Sequence, residues 1–236
     1  MRNAKLANVL VFFGLLTIQL PVLAETIAVI GTGDVGAALG PEFAAQGHTI
    51  VYGSRDPDRA EIVALTERTG RGASATTQQQ AVVGADMVLL AVPGNVAVEV
   101  AQSLGDLSGK IIIDPTNVIS RENGRMMHGV PGKGSNAALI QAAQPGAFVV
   151  KAFNTLNWVQ MVDPETAGGP ITIMLAGEST EAKAKVAELV RGMGLDAVDV
   201  GGIEYAHLLE EMLVMWANAR GIGGPFNYYL RPMPAN

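Results

Sequence analysis

Gly31, Gly33 and Gly36 form a G-x-G-x-x-G pattern between the apolar run 26–30 and an Ala-rich stretch over 37–46. Glycines at this spacing bring a backbone close to an anion. The first permits a tight strand-to-helix turn, the second a close approach to a pyrophosphate, and the third close packing of helix on strand. Thr32, Asp34 and Val35 occupy the positions between them, and the free amides and positive dipole end of the following helix would face the same phosphates. An acid about 20 residues further on marks a ribose 2'-hydroxyl, whereas an arginine accommodates a 2'-phosphate. Here the second strand ends in Ser54 and Arg55. A hydroxyl and a guanidinium suit a phosphate dianion through charge-assisted hydrogen bonds of about 1.5 to 3 kcal/mol each, so the pattern selects NADP(H) over NAD. Asp56 and Asp58 argue the other way, but Asp56-Pro57 reads as the cap and first turn of a helix over 57–69. Arg59, one turn along, is either a further phosphate contact or a solvated helix charge.

Strands are expected at 26–30, 48–53, 86–92, 110–114, 147–153, 170–176 and 195–199, with a short extended piece at 73–75. Helices are expected at 57–69, 95–104, 181–191 and 204–220, and a Gln-rich helical turn at 77–83. Strand and helix alternate throughout, which implies an α/β fold: a doubly wound, mainly parallel Rossmann sheet with helices on both faces and room for an antiparallel edge. Residues 121–136, rich in Gly and polar side chains, read as one long loop. Ligands of such sheets bind beyond the carboxyl ends of the strands, here 31–36, Ser54-Arg55, Val92-Pro93, 114–117 and 151–154. Leu208, Leu209, Met212, Leu213 and Trp216 make one stripe of the last helix, suited to the core or to the face of a homodimer.

At 236 residues and 49% hydrophobic content, 25–236 suffices for a single domain with a sizeable core. A net charge of −6 and no basic stripe argue against a nucleic-acid partner. There is no cysteine, and His48, His128 and His207 lack metal-ligand spacing, so no metal site is expected. Arg2 and Lys5, the apolar segment 6–20 and the small-residue exit ending at Ala24 read as a secretory signal peptide cleaved after Ala24. The other readings are an uncleaved membrane anchor and a misassigned start, which would leave the chain membrane-anchored or cytoplasmic. Export to the periplasm conflicts with use of NADP(H), a cytoplasmic cofactor.

Several segments in order extend the pattern: 31–36, Gly47-His48, 53–55, 91–93, Asp114-Pro-Thr-Asn117, Val150-Lys-Ala-Phe-Asn-Thr155, Ala176-Gly177 and Ala206-His-Leu-Leu-Glu210. Together they resemble the coenzyme F420-dependent NADP oxidoreductases, with similarity to the N-terminal NADPH domain of membrane ferric reductases. Pyrroline-5-carboxylate reductases are similar in the N-terminal half, but their helical dimerisation domain does not fit the residues that remain. The resemblance implies NADPH held by Thr32, Gly33, Asp34 and Val35 at the pyrophosphate and by Ser54, Arg55 and Arg59 at the 2'-phosphate. Pro93, Asn117 and Ala152 would lie along the nicotinamide half. The second substrate would be a small planar hydride acceptor, such as coenzyme F420 (a deazaflavin) or a flavin, stacked on the nicotinamide. Hydride transfer between two rings needs proximity and orientation more than a strong acid or base, so no catalytic residue is assigned. Lys151 either favours an anionic acceptor or is structural. The alternatives are a non-catalytic NADP-binding sensor and a ferric reductase component dependent on a haem-bearing partner.

Overall fold

The computed structural model describes residues 24–223, 228–231 and 233. The chain runs β1 (Thr26–Ile30), α1 (Asp34–Ala45), β2 (Thr49–Ser54), α2 (Ala60–Thr69), β3 (Ser74–Thr77), α3 (Gln78–Ala81), β4 (Met87–Leu90), α4 (Gly94–Ser103) and β5 (Ile111–Asp114). It continues through β6 (Ile119–Glu122), β7 (Arg125–His128), α5 (Asn136–Ala143), β8 (Phe148–Lys151), α6 (Trp158–Val162), a 3-10 turn (Pro164–Ala167), β9 (Thr172–Ala176), α7 (Thr180–Gly192), β10 (Asp196–Gly201) and α8 (Ala206–Gly221).

One sheet of eight strands has the order β10-β9-β8-β5-β4-β1-β2-β3. Its six strands from β3 to β8 are parallel, in the 3-2-1-4-5-6 arrangement of a doubly wound Rossmann sheet. β9 joins β8 antiparallel through Lys151 and Ala176, and β10 lies parallel to β9. The edge is therefore a reversed pair of strands. Helices cover both faces, which is why β1, β4 and β5 are almost wholly apolar. Side chains alternate between two cores. Ile27, Val29, Met87, Leu89 and Ile113 pack under Leu39 and Phe43 of α1 and Val186 and Val190 of α7. Ala28, Ile30, Val88, Leu90 and Ile112 pack under Ala97 of α4, Ile140 of α5 and Leu209 of α8.

Two local expectations are corrected. The stretch 121–136 is not one loop: β6 and β7 pair antiparallel across Asn123-Gly124, both at positive φ (50° and 77°), the geometry of a two-residue hairpin turn. The helix expected from Pro57 begins only at Ala60, because Ser54 Oγ accepts from the Asp56 amide and donates to the Asp56 carbonyl, closing a turn there. α1 runs through Pro41. Proline has no N–H to give the Ala37 carbonyl four residues back, and Arg68 of α2 donates to that carbonyl at 3.1 Å instead. The leader expected at 1–24 falls almost entirely outside the described residues, among which no helix is long and apolar enough to cross a membrane.

Candidate active site

The three glycines do three different things. Gly31 has φ +101°, and a β-carbon there would stand 2.3 Å from the Ala91 carbonyl oxygen, so both backbone conformation and the end of β4 require glycine. A β-carbon on Gly36 would meet the Gly31 carbonyl oxygen at 2.0 Å and Val29 Cγ1 at 3.0 Å, which fixes how closely α1 lies on β1. Around Gly33 nothing stands within 4 Å of that position. Its bare side faces open space. Gly33 is also the N-cap of α1 without a side-chain cap, and no acceptor among the described residues takes the amides of Asp34, Val35 or Gly36. Free amides at a helix N-terminus beside an unobstructed backbone are a fit for a pyrophosphate. Asp34 is exposed in the first turn, so its part in such a site is its amide.

A cleft of about 680 Å³ opens beside this turn, lined by Thr32, Gly33, Ser54, Arg55, Arg59, Pro93 and the outer face of α4. Arg55 and Arg59 are exposed on it, and neither has an ion pair among the described residues. Two guanidiniums without such a pair, Arg55 just after β2 and Arg59 at the N-cap of α2, fit a 2'-phosphate. Ser54 is buried and its hydroxyl is engaged with Asp56. It shapes the turn that presents Arg55 and lines the cleft as well.

The other end of the site is built from β5, β8 and α8. The Asn117 carbonyl sits where a Gly94 β-carbon would be, at 2.1 Å, so the turn after β4 presses directly on the turn after β5. Asn117 Nδ2 donates to the Asn154 carbonyl at 2.9 Å, while Asn154 Nδ2 donates to Asn117 Oδ1 at 3.0 Å and to the Leu209 carbonyl at 2.9 Å. Phe153 holds φ +63° with its ring buried 6.3 Å from that of Phe43. A non-glycine residue in that region costs about 1 to 3 kcal/mol and persists where surroundings over-determine it.

These residues floor a second cleft, of about 230 Å³, that also takes in Val35 of the glycine turn, Gln160 of α6, Trp216 of α8, Tyr228 and Tyr229. No charged side chain lines it among the described residues. Burial pushes the Tyr228 hydroxyl up to about 12, so it stays neutral. Ala152 is fully buried in the core with Phe153 and lines neither cleft; its amide donates to the Asp114 carbonyl. The expected nicotinamide contact at Ala152 is thus not made by its side chain.

Lys151 proves structural. Its Nζ lies 3.0 Å from Asp114 Oδ2 and 2.7 Å from Glu210 Oε1 and donates to the Thr116 carbonyl, with all three charged side chains inaccessible. Glu210 also accepts from the Asn136 amide at 2.9 Å and meets His128 Nε2 at 2.8 Å. Burial pushes the Glu210 carboxyl up, but the Lys151 charge and the hydrogen bonds from Lys151, His128 and Asn136 outweigh it and leave it below the usual range. Asn136 Nδ2 then bonds Thr116 Oγ1 and the Gly94 carbonyl. This network ties β5, β7, β8, α5 and α8 together beneath the turns at Gly94 and Asn117. Asp114, Lys151 and Glu210 all lie inside the segments noted in the sequence, but nothing there shows that the three meet.

Comparison with known proteins points to an NADP reductase family. The family model described as NADP oxidoreductase, coenzyme F420-dependent, matches residues 26–118. A crystal structure of a candidate F420-dependent NADP-reductase from Arthrobacter sp. FB24 superposes with a TM-score of 0.77 at 31% identity, over 85% of this chain and 96% of that one. The F420-dependent NADP reductase of Methanothermobacter thermautotrophicus is 27% identical over 214 residues, 85% of this chain and 91% of its own. The metalloreductase STEAP3 of Rattus norvegicus is 28% identical over 193 residues, 81% of this chain but 37% of its own length.

Proposed function

The chain belongs to the coenzyme F420-dependent NADP oxidoreductase family, and from that premise we propose that it transfers hydride between NADP(H) and a deazaflavin or flavin seated in the aromatic cleft. The observation that carries the choice of acceptor is that cleft: Phe153, Trp216, Tyr228 and Tyr229 with the amides of Asn157 and Gln160, and no charged lining side chain among the described residues. Aromatic walls suit a flat ring, which they hold by offset or edge contacts. Asn157 Oδ1 is spent on the Val159 amide, which leaves its amide N–H groups to donate, and Gln160 offers its carbonyl oxygen. That pairing suits the alternating donors and acceptors of a flavin-like ring edge. The Arg220 guanidinium lies against the Trp216 ring at 5.1 Å and does not itself line the cleft.

The nicotinamide supplies the hydride when NADP(H) is bound. The chain's part is to hold and orient. The open amides of α1 receive the pyrophosphate and Arg55 and Arg59 the 2'-phosphate, while the locked Asn117–Asn154 pair and Phe153 give the nicotinamide end a rigid floor. Fixing two reactants in this way supplies the rate enhancement that such a transfer needs. The reading is tested by following NADPH oxidation by the purified protein with F420, FMN, FAD and ferric citrate offered separately. Turnover with F420 or a flavin supports it. Tight NADPH binding without turnover on any of them would instead support a sensor.

A further inference from the structure

We infer that residues Tyr228–Arg231 form a strap that walls the acceptor cleft, and that Arg231 is a positioning residue that sets acceptor affinity without touching the acceptor. The inference rests on the reading of that cleft as the acceptor site. Tyr228 and Tyr229 line the cleft and are half-buried, whereas Arg231 is exposed and lies outside it.

The strap is fixed by hydrogen bonds from Arg231 and to Leu230 that converge on 167–172. Arg231 Nη1 donates to the carbonyl of Gly169 at 2.5 Å and to that of Pro170, and Nη2 donates to that of Ala167. One residue earlier, the Leu230 carbonyl accepts from the Thr172 amide at 2.9 Å, at the start of β9. The carbonyls gather because Gly168 and Gly169 hold φ +80° and +114° after the 3-10 turn, a conformation glycine adopts without strain. A β-carbon on Gly168 would lie 3.6 Å from Arg231 Nη2, so the guanidinium is seated against it. A planar guanidinium with several donors suits such a nest better than an ammonium.

The same 3-10 turn carries the opposite wall. It follows α6, which brings Gln160 and Met161 to the cleft, and Gln160 Nε2 reaches Thr166 Oγ1 within the turn at 3.4 Å. Strap and α6 therefore share one anchor, and the clamp at Arg231 fixes the spacing of Tyr229 from α6. The cofactor cleft shares no lining residue with this assembly. The nicotinamide end shares with the acceptor only the floor at Asn117, Phe153 and Asn154, so loss of the clamp should weaken acceptor binding far more than NADPH binding.

The test uses the full chain with Arg231→Ala, Arg231→Lys, Tyr229→Ala and Tyr229→Phe. Dissociation constants for F420 and FMN are read from protein fluorescence and that for NADPH by calorimetry. Arg231→Ala and Tyr229→Ala are expected to weaken F420 or FMN binding about tenfold while NADPH binding stays within about twofold. Tyr229→Phe keeps the ring and should bind as the unaltered protein does, and Arg231→Lys should fall between. Unchanged F420 and FMN binding in both alanine variants overturns the strap, as does equal weakening of NADPH, or an unaltered protein that binds neither probe. Probe binding that follows the expected order without hydride transfer sinks the reductase reading and leaves the strap. Hydride transfer with unaltered binding in the variants does the reverse.

Discussion

At the residue scale, the three glycines of the turn are separable by experiment because their surroundings differ. Gly33 has φ −76° and nothing within 4 Å of a β-carbon, so Gly33→Ala should leave the unfolding temperature nearly unchanged and weaken NADPH binding by obstructing the pyrophosphate. Gly36→Ala drives a β-carbon into the Gly31 carbonyl and should destabilise the fold by about 1 to 3 kcal/mol, as overpacking does, measurable by urea unfolding. The motif was legible in sequence because its chemistry is local backbone. Lys151 was not, since a lysine at a strand end reads equally as a ligand contact or a buried ion. Only the meeting of Asp114, Glu210 and Lys151 at full burial decides it. Lys151→Met would strand two carboxylates, and should cost about 3 to 5 kcal/mol in the same assay. A variant as stable as the unaltered chain would contradict the structural role.

At the element scale, the alternation of strands and helices was visible because each buried parallel strand is a continuous apolar run. The β6–β7 hairpin was not, although Asn123-Gly124 is a turn signal. Its strands, Ile-Ser-Arg-Glu and Arg-Met-Met-His, carry little apolar alternation. They are held mainly by α8, through Asn218 bonded in both directions to the Met126 backbone and through His128 on Glu210. α1 shows the opposite case, in which an apparent helix breaker is accommodated. The Ala37 carbonyl orphaned by Pro41 is answered by Arg68, so Arg68→Ala should cost about 0.5 to 1.5 kcal/mol. In a Pro41→Ala background, where the helix supplies its own donor, most of that cost should vanish. Equal costs in both backgrounds, from a double-mutant cycle on urea midpoints, would refute the compensation.

At the scale of the whole molecule, the doubly wound order puts both clefts at the carboxyl ends of the parallel strands. A third cleft, of about 320 Å³, lies at their opposite ends beside Asp86, Lys110 and Lys185, but Lys110 is bonded to the Ala85 carbonyl and Lys185 to Glu25. The first cleft could be read from the chain because 31–33 and 54–55, which line it, are contiguous segments on neighbouring strands. The second cleft could not, since Phe153, Gln160, Trp216 and Tyr229 are brought together only by packing; the sequence leaves room for an antiparallel edge, but an apolar run does not say which strands reverse. In the proposed reading Arg55 joins the two ends functionally, because a 2'-phosphate held there would select the hydride donor for whatever the second cleft accepts. The most direct measurement is kcat/KM for NADPH and for NADH with F420 or FMN as acceptor, in the unaltered protein and in Arg55→Ala. The unaltered protein should prefer NADPH, and the variant should lose about tenfold to a hundredfold with NADPH while changing little with NADH. Equal losses with both donors, or no oxidation of either donor by the unaltered protein, would contradict the account.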